Sequence, residues 1–117
     1  MNALFILNDP PYGTERLYNG LRLAQAIAKK DPQAIVTVFL MADAVVAAKA
    51  GQNTPDGYYN LERMLKRVIA ANGKVLLCGT CMDARGLDEG ALMQGARRST
   101  MDELAAETAA ADKVLVF

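Results

Sequence analysis

AIVTVFLM, residues Ala34–Met41, is apolar at nearly every position and rich in β-branched side chains. A strand with one wet face alternates polar and apolar residues, whereas a strand covered on both faces has no reason to alternate. The stretch reads as a strand buried on both sides, which argues for a parallel sheet in an α/β protein. Three shorter runs resemble it: ALFILN (Ala3–Asn8), KVLLC (Lys74–Cys78) and KVLVF (Lys113–Phe117).

The segments between these runs carry helical patterns. From Thr14, TERLYNGLRLAQAIAKK sets Leu17, Leu21, Ala24 and Ala28 on one stripe, with Arg16, Arg22 and Lys29 off it. Its basic last turn suits the helix dipole, and Pro32 lies beyond it. Asp43 is placed to cap a short Ala/Val helix that ends near Gly51, and GQNTPDGYYN after it is a polar loop. Leu61, Met64, Leu65 and Val68 mark another helix, expected to end on Asn72-Gly73 as a C-cap. Past Gly86, glycines break LDEGALMQGARRS and leave room for a short edge strand. Thr100, with Glu103 three residues on, is a capping box opening an alanine-rich helix. Strands alternating with helices predict a wound α/β domain on a mostly parallel sheet.

At 117 residues the chain makes one domain, 1–117, with no room for a second core. Thirteen acidic and thirteen basic residues balance, so neither nucleic acid nor an anionic membrane is expected as a partner. The longest apolar tract, Ile35–Ala48, is interrupted by Asp43 and does not span a bilayer. The N-terminal MNALFILNDP lacks the features of a secretory signal, so the expected compartment is the cytoplasm and the two cysteines are expected to be reduced. There is no histidine, which excludes Ser-His-Asp and Cys-His catalysis and His-ligated metals. No cofactor and no metal is implied. Acid, base or nucleophile must come from Cys, Asp, Glu, Lys, Arg or Tyr.

In open α/β sheets functional groups gather beyond the carboxyl ends of the strands. Those ends are NDPPYG, MAD and CGTC, which predicts that Cys78 and Cys81 lie near Asp9, Tyr12 and Asp43. The Cys-Gly-Thr-Cys pair admits several readings. A zinc site needs four ligands and the pair supplies two, so subunits would have to pool theirs. A redox pair fits the spacing, but thioredoxins place a proline loop after the motif, and here Pro10, Pro11, Pro32 and Pro55 all precede it. As buried apolar side chains, Cys78 fits the end of a strand better than Cys81 fits a loop. Gly79 and Thr80 leave space beside the sulfur for a ligand. A nucleophilic thiolate needs help, since free cysteine titrates near ~8.5. Arg85 and backbone N–H groups of a turn are the candidates for that help, and Asp83 opposes it unless it faces water or pairs with Arg85.

Other features weigh less. Gly13 precedes a helix start but lacks the Gly-Lys-Ser/Thr of a nucleotide loop. Arg97-Arg98 reads as a solvated pair, and Tyr58-Tyr59 as an interface sooner than a pocket.

LLCGTCMDARG, with NDPPYGTERLYNGLRLAQAI, VFLMADAV, KAGQ and GYYNLERML, resembles the DsrE/DsrF-like family, and the likeness runs on to the closing ADKVLVF. The resemblance implies a three-layer α/β/α sandwich on a five-stranded, mostly parallel sheet. It also implies a homo-oligomer, a homohexamer by family habit, and the handling of persulfide sulfur between donor and acceptor proteins. Cys78 matches the family's sulfur-carrying cysteine at the end of the third strand, and Arg85-Gly86 matches an Arg-Gly found in several relatives. Cys81 belongs to the subset that carries two cysteines, as a resolving or second thiol. The family's relay complexes are hetero-oligomers, whereas its small self-assembled members, which this chain is more similar to, lack an assigned reaction. The expectation is a sulfur carrier acting through Cys78. Its rival is a non-catalytic homo-oligomeric module whose cysteines line a small-ligand pocket.

Overall fold

Five short strands lie side by side in a computed structural model that describes all of Met1–Phe117. They are β1 (Asn2–Leu7), β2 (Ile35–Leu40), β3 (Lys74–Cys78), β4 (Ala96–Ser99) and β5 (Lys113–Val116). Every pairing is parallel and the order is β4-β3-β2-β1-β5. The central position of β2 explains its sequence, since every residue after Ile35 is buried.

Four helices cross over between strands: α1 (Arg16–Lys30), α2 (Leu61–Ala70), α3 (Gly79–Ala84) and α4 (Met101–Ala110). The steps from β1 to β4 all move in one direction, so right-handed crossovers put α1, α2 and α3 on one face. The return step from β4 to β5 moves the other way and puts α4 on the opposite face, where it meets β1. The result is a three-layer α/β/α sandwich. Helix α1 buries Leu17, Gly20, Leu21 and Ala24, and α2 buries Leu61, Met64, Leu65 and Val68, as their sequence stripes require. No helix is long and apolar enough to cross a membrane.

The boundaries depart from expectation in three places. Helix α1 begins at Arg16, two residues after Thr14, whose hydroxyl donates to Asp9 (2.8 Å) and accepts the Arg16 N–H (3.3 Å). The Ala/Val segment is a 3-10 turn over Ala42–Ala48, and Asp43 does not cap it: Ala42 takes a left-handed φ of 51°, and the turn is capped two residues earlier, on Met41. Asp43 then falls inside the first turn and is free to meet Arg85. At Thr100 half of the capping box forms. Glu103 N–H donates to Thr100 Oγ1 (3.1 Å), while the Glu103 carboxylate turns to Arg97 and Ser99.

The end of α2 divides its C-cap between two residues. Asn72 takes the left-handed conformation (φ 64°), and Gly73 sits where the chain enters β3 against its neighbours. A Cβ at Gly73 would stand 2.4 Å from the Val36 carbonyl oxygen and 2.7 Å from that of Val68, both backbone atoms that cannot rotate away. Gly73→Ala is therefore expected to lower the unfolding free energy by about 1–3 kcal/mol or more, the usual range for overpacking. Urea melts of the two proteins check it, and an unchanged midpoint would contradict the packing described.

Candidate functional site at the end of the third strand

The site is built where β3 passes directly into α3. Cys78 is the last residue of the strand and the N-cap of the helix, a position taken by Ser, Thr, Asp or Asn in most helices. Its sulfur does the work of an oxygen cap. Cys78 Sγ accepts the Cys81 backbone N–H at 3.4 Å and lies 3.3 Å from the Thr80 hydroxyl. Cys81 is in the helix and not in a loop, which puts its thiol back over the strand end. The backbone N–H of Ala42 donates to Cys81 Sγ at 3.3 Å, made possible by the left-handed turn at that residue.

The two thiols are free and differ in character. Burial is the largest single influence on Cys78 and pushes its pKa up. Hydrogen bonds from the Cys81 thiol, the Thr80 hydroxyl and the backbone N–H groups of Cys81 and Thr80 outweigh it, and the net shift is downward. Cys81 goes the other way: burial and its hydrogen bond to Cys78 raise its pKa, against the weaker pull of Ala42 N–H and Arg85. Of the pair, Cys78 ionises first and Cys81 keeps its proton.

A cavity of about 190 Å³ opens on Cys78, with Phe39, Gly79, Thr80, Arg98, Ser99 and Met101 in its wall. Arg98 is the cation of this cavity. Its guanidinium lies across Gly79, where a Cβ would come within 2.8 Å of Nε. Asp83 grips it from the far side through two hydrogen bonds of 2.7 and 2.8 Å. The space beside the sulfur that a small residue leaves is thus filled in part by an arginine side chain. Arg98 and the Cys78 thiolate attract one another across the cavity.

The structure does not bring all the sequence candidates together. Arg85 donates to Asp43 Oδ1 (2.8 Å) and to the Cys81 carbonyl (3.0 Å), so it orders the back of the site and acts on Cys81. Asp83 pairs with Arg98 and not with Arg85. Asp43 joins the site through Arg85. Asp9 and Tyr12 do not meet the cysteines, because β2 intervenes between β1 and β3. Asp9 instead holds Thr14 and Arg16, while the Tyr12 hydroxyl donates to Gln52 and accepts the Leu61 N–H at 3.1 Å. The residue that sequence reasoning passed over is Arg98. Only the β3–β4 register, which sets Cys78 beside Ser99, reveals that the second arginine of a solvated-looking pair lines the cavity on Cys78. No group of three or more Cys, Asp or Glu side chains converges to offer a metal cage.

These contacts fix an expected pH–rate profile. Cys78 is expected to alkylate with an apparent pKa below that of a free thiol, and Thr80→Val to raise it by removing one of the hydrogen bonds to the sulfur. Since one pKa unit is about 1.4 kcal/mol, even a partial loss slows alkylation several-fold at neutral pH, with the rates converging once both thiols are ionised. Arg85→Ala is expected to leave the Cys78 profile in place and to raise the pKa of Cys81. Iodoacetamide labelling mapped by mass spectrometry separates the two cysteines, and a Cys78 profile that follows Arg85 instead of Thr80 would overturn this assignment.

Comparison with known proteins agrees with the geometry. The DsrE/DsrF-like family matches over residues 1–117. Protein YchN of Escherichia coli K12 is 43% identical over 114 residues, 97% of each chain, and MJ0989 of Methanocaldococcus jannaschii is 37% identical over 117 residues, the whole of each. The crystal structure of E. coli YchN superposes with a TM-score of 0.94 at 42% identity, covering 100% of this chain and 99% of that one. MTH1491 of Methanobacterium thermoautotrophicum shares the fold alone, with a TM-score of 0.79 at 11% identity over 99% of this chain and 98% of its own. Residues, strand order and family match thus lead to one conclusion: the chain belongs to the DsrE/DsrF-like family.

Proposed function

We propose that the protein carries sulfane sulfur as a persulfide on Cys78, in keeping with a family known for sulfur relay. The observation that supports this reading best is the position of Cys78 Sγ, which caps α3, accepts two hydrogen bonds and faces a cavity. With the residue as a whole 7% exposed, Cys78 suits a narrow, extended end such as a persulfide tail and is sheltered from bulk water. In the loading step the Cys78 thiolate attacks the outer sulfur of a donor persulfide, R–S–SH. The S–S bond of the donor breaks, its electron pair leaves on R–S⁻, and Cys78–S–SH forms with the proton retained on the outer sulfur. Delivery is the same exchange with an acceptor thiolate as nucleophile, so neither step needs an oxidant. Arg98 is placed to favour the anionic sulfur at each stage, and Cys81 is a protonated thiol beside it.

Incubation with polysulfide, or with a cysteine desulfurase and cysteine, followed by peptide mass spectrometry, tests the proposal. The expected adduct is +32 Da per sulfur on Cys78, lost in Cys78→Ser and retained in Cys81→Ser. Sulfur on Cys81 alone, or on neither residue, would favour the rival reading of a small-ligand module whose cysteines line a pocket.

We also propose that the chain works as a homo-oligomer, with a hexamer as the family expectation. Support comes from the α4 face. A parallel sheet is stable when both faces are covered, yet a single ten-residue helix covers this one. Val114 and Val116, in register with Leu4 and Ile6, remain 43% and 64% exposed on the edge strand. Met101, 61% exposed at the mouth of the cysteine cavity, is a third apolar group left bare. Light scattering at micromolar concentration is expected to give a multiple of the chain mass, and Val116→Asp to reduce it. A monomer in both cases would refute self-assembly.

A further inference from the structure

The cleft between α1 and α2 lies away from the cysteines and has its own chemistry. Arg22 enters it from α1 and Arg63 and Arg67 from α2, and no carboxylate lines it. None of these three takes part in an ion pair within the chain. Arg63 is placed against local preference, in the first turn of α2, where the helix dipole disfavours a cation; Arg67, in the last turn that suits its charge, follows it at i,i+4, where like charges repel. Charges kept in such positions are compensated when an anion binds between them. Across a two-fold axis the same face would set three guanidinium groups against three, so a second copy docked symmetrically is a poor occupant.

A donor and an aromatic platform complete the cleft. Gln25 Nε2 is buried at its floor and has no acceptor, the one buried side-chain nitrogen or oxygen in the protein without a partner. Such a donor is costly to leave unpaired and calls for an acceptor oxygen. Tyr18, Tyr59 and Tyr58 form a stack along one side, with ring centroids 4.1 and 4.5 Å apart. Arg22 lies 5.5 Å over the Tyr18 ring at one end, and Tyr58, 49% exposed, ends the stack at the other. Tyr12 lies beside the stack, 6.3 Å from Tyr58, and the exposed Tyr58 offers a surface on which a further flat ring extends it. The cleft volume, about 260 Å³, suits a small ligand and not a polymer segment.

We infer that this cleft binds a small aromatic phosphate of the mononucleotide class, its phosphate on Arg63, Arg67 and Gln25 and its ring on Tyr58. Carboxylates satisfy the arginines but leave the stack unused, and nucleosides do the reverse; only the combined ligand uses both halves.

Calorimetric titration of the native protein with AMP, adenosine and inorganic phosphate tests this. AMP is expected to bind at least tenfold more tightly than either fragment, since each half contributes a separate contact. Arg63→Ala and Arg67→Ala are each expected to weaken AMP about tenfold or more, the loss of a charge-assisted hydrogen bond. Tyr58→Ala is expected to weaken AMP while leaving phosphate unaffected, and Gln25→Leu to weaken both. All four side chains lie outside the cysteine site, so an unchanged Cys78 alkylation rate certifies the fold of each variant. Absence of AMP binding at millimolar concentration would overturn the inference, as would AMP binding undiminished in both arginine variants. Phosphate binding as tightly as AMP would overturn the aromatic part of it.

Discussion

All five strands run in one direction, so every strand hands the chain over at the same edge of the sheet. That constraint organises the protein. It requires a crossover after each strand, and it brings the residues that follow β1, β2 and β3 to one edge. At that edge the connection after β3 has no loop at all, because Cys78 ends the strand and caps α3 in a single residue. The absence of a linker leaves the first backbone N–H groups of the helix beside the sulfur, and the thiol is polarised by backbone geometry before any charged side chain is considered.

The electrostatics of the pair follow from two opposing effects. Burial disfavours a thiolate, and hydrogen bonds to the sulfur favour it. At Cys78 the bonds prevail, and at Cys81 burial does, although the residues are one helical turn apart. Arginines surround the pair without touching Cys78 directly. Arg85 fastens Asp43 to the Cys81 carbonyl, and Arg98 is held over Gly79 by Asp83. Both ion pairs are substantially exposed, so their contribution to stability is modest and their effect is chiefly one of position.

The thiol site and the arginine–tyrosine cleft are separate constructions on one frame. One depends on backbone donors at the carboxyl edge of the sheet, the other on side chains that α1, α2 and the Tyr58-Tyr59 segment before α2 present outward. The exposed valines of β5 belong to neither. They mark the flank where the sheet is least covered, and the physical demand there is for apolar contact and not for chemistry.

The sequence by itself determined the layer architecture. Ala34–Met41 is apolar without alternation because β2 is central, and the stripes of α1 and α2 have one helical period because each packs one face on the sheet. The place of Cys78 at a strand end was equally legible, since KVLLC stops where the glycine and threonine begin. Local patterns carry that information because backbone geometry and burial act over a few residues. Strand order does not act that way. Only the tertiary structure put β2 between β1 and β3, which removed Asp9 and Tyr12 from the site, and laid β4 along β3, which brought Arg98 to it. Whether Asp83 answers Arg85 or Arg98 was undecidable from spacing, because both arginines are within reach along the chain and only the β4 register favours the more distant one. The left-handed turn at Ala42 was hidden for a different reason: nothing in an alanine signals a positive φ, and only the surrounding packing imposes it.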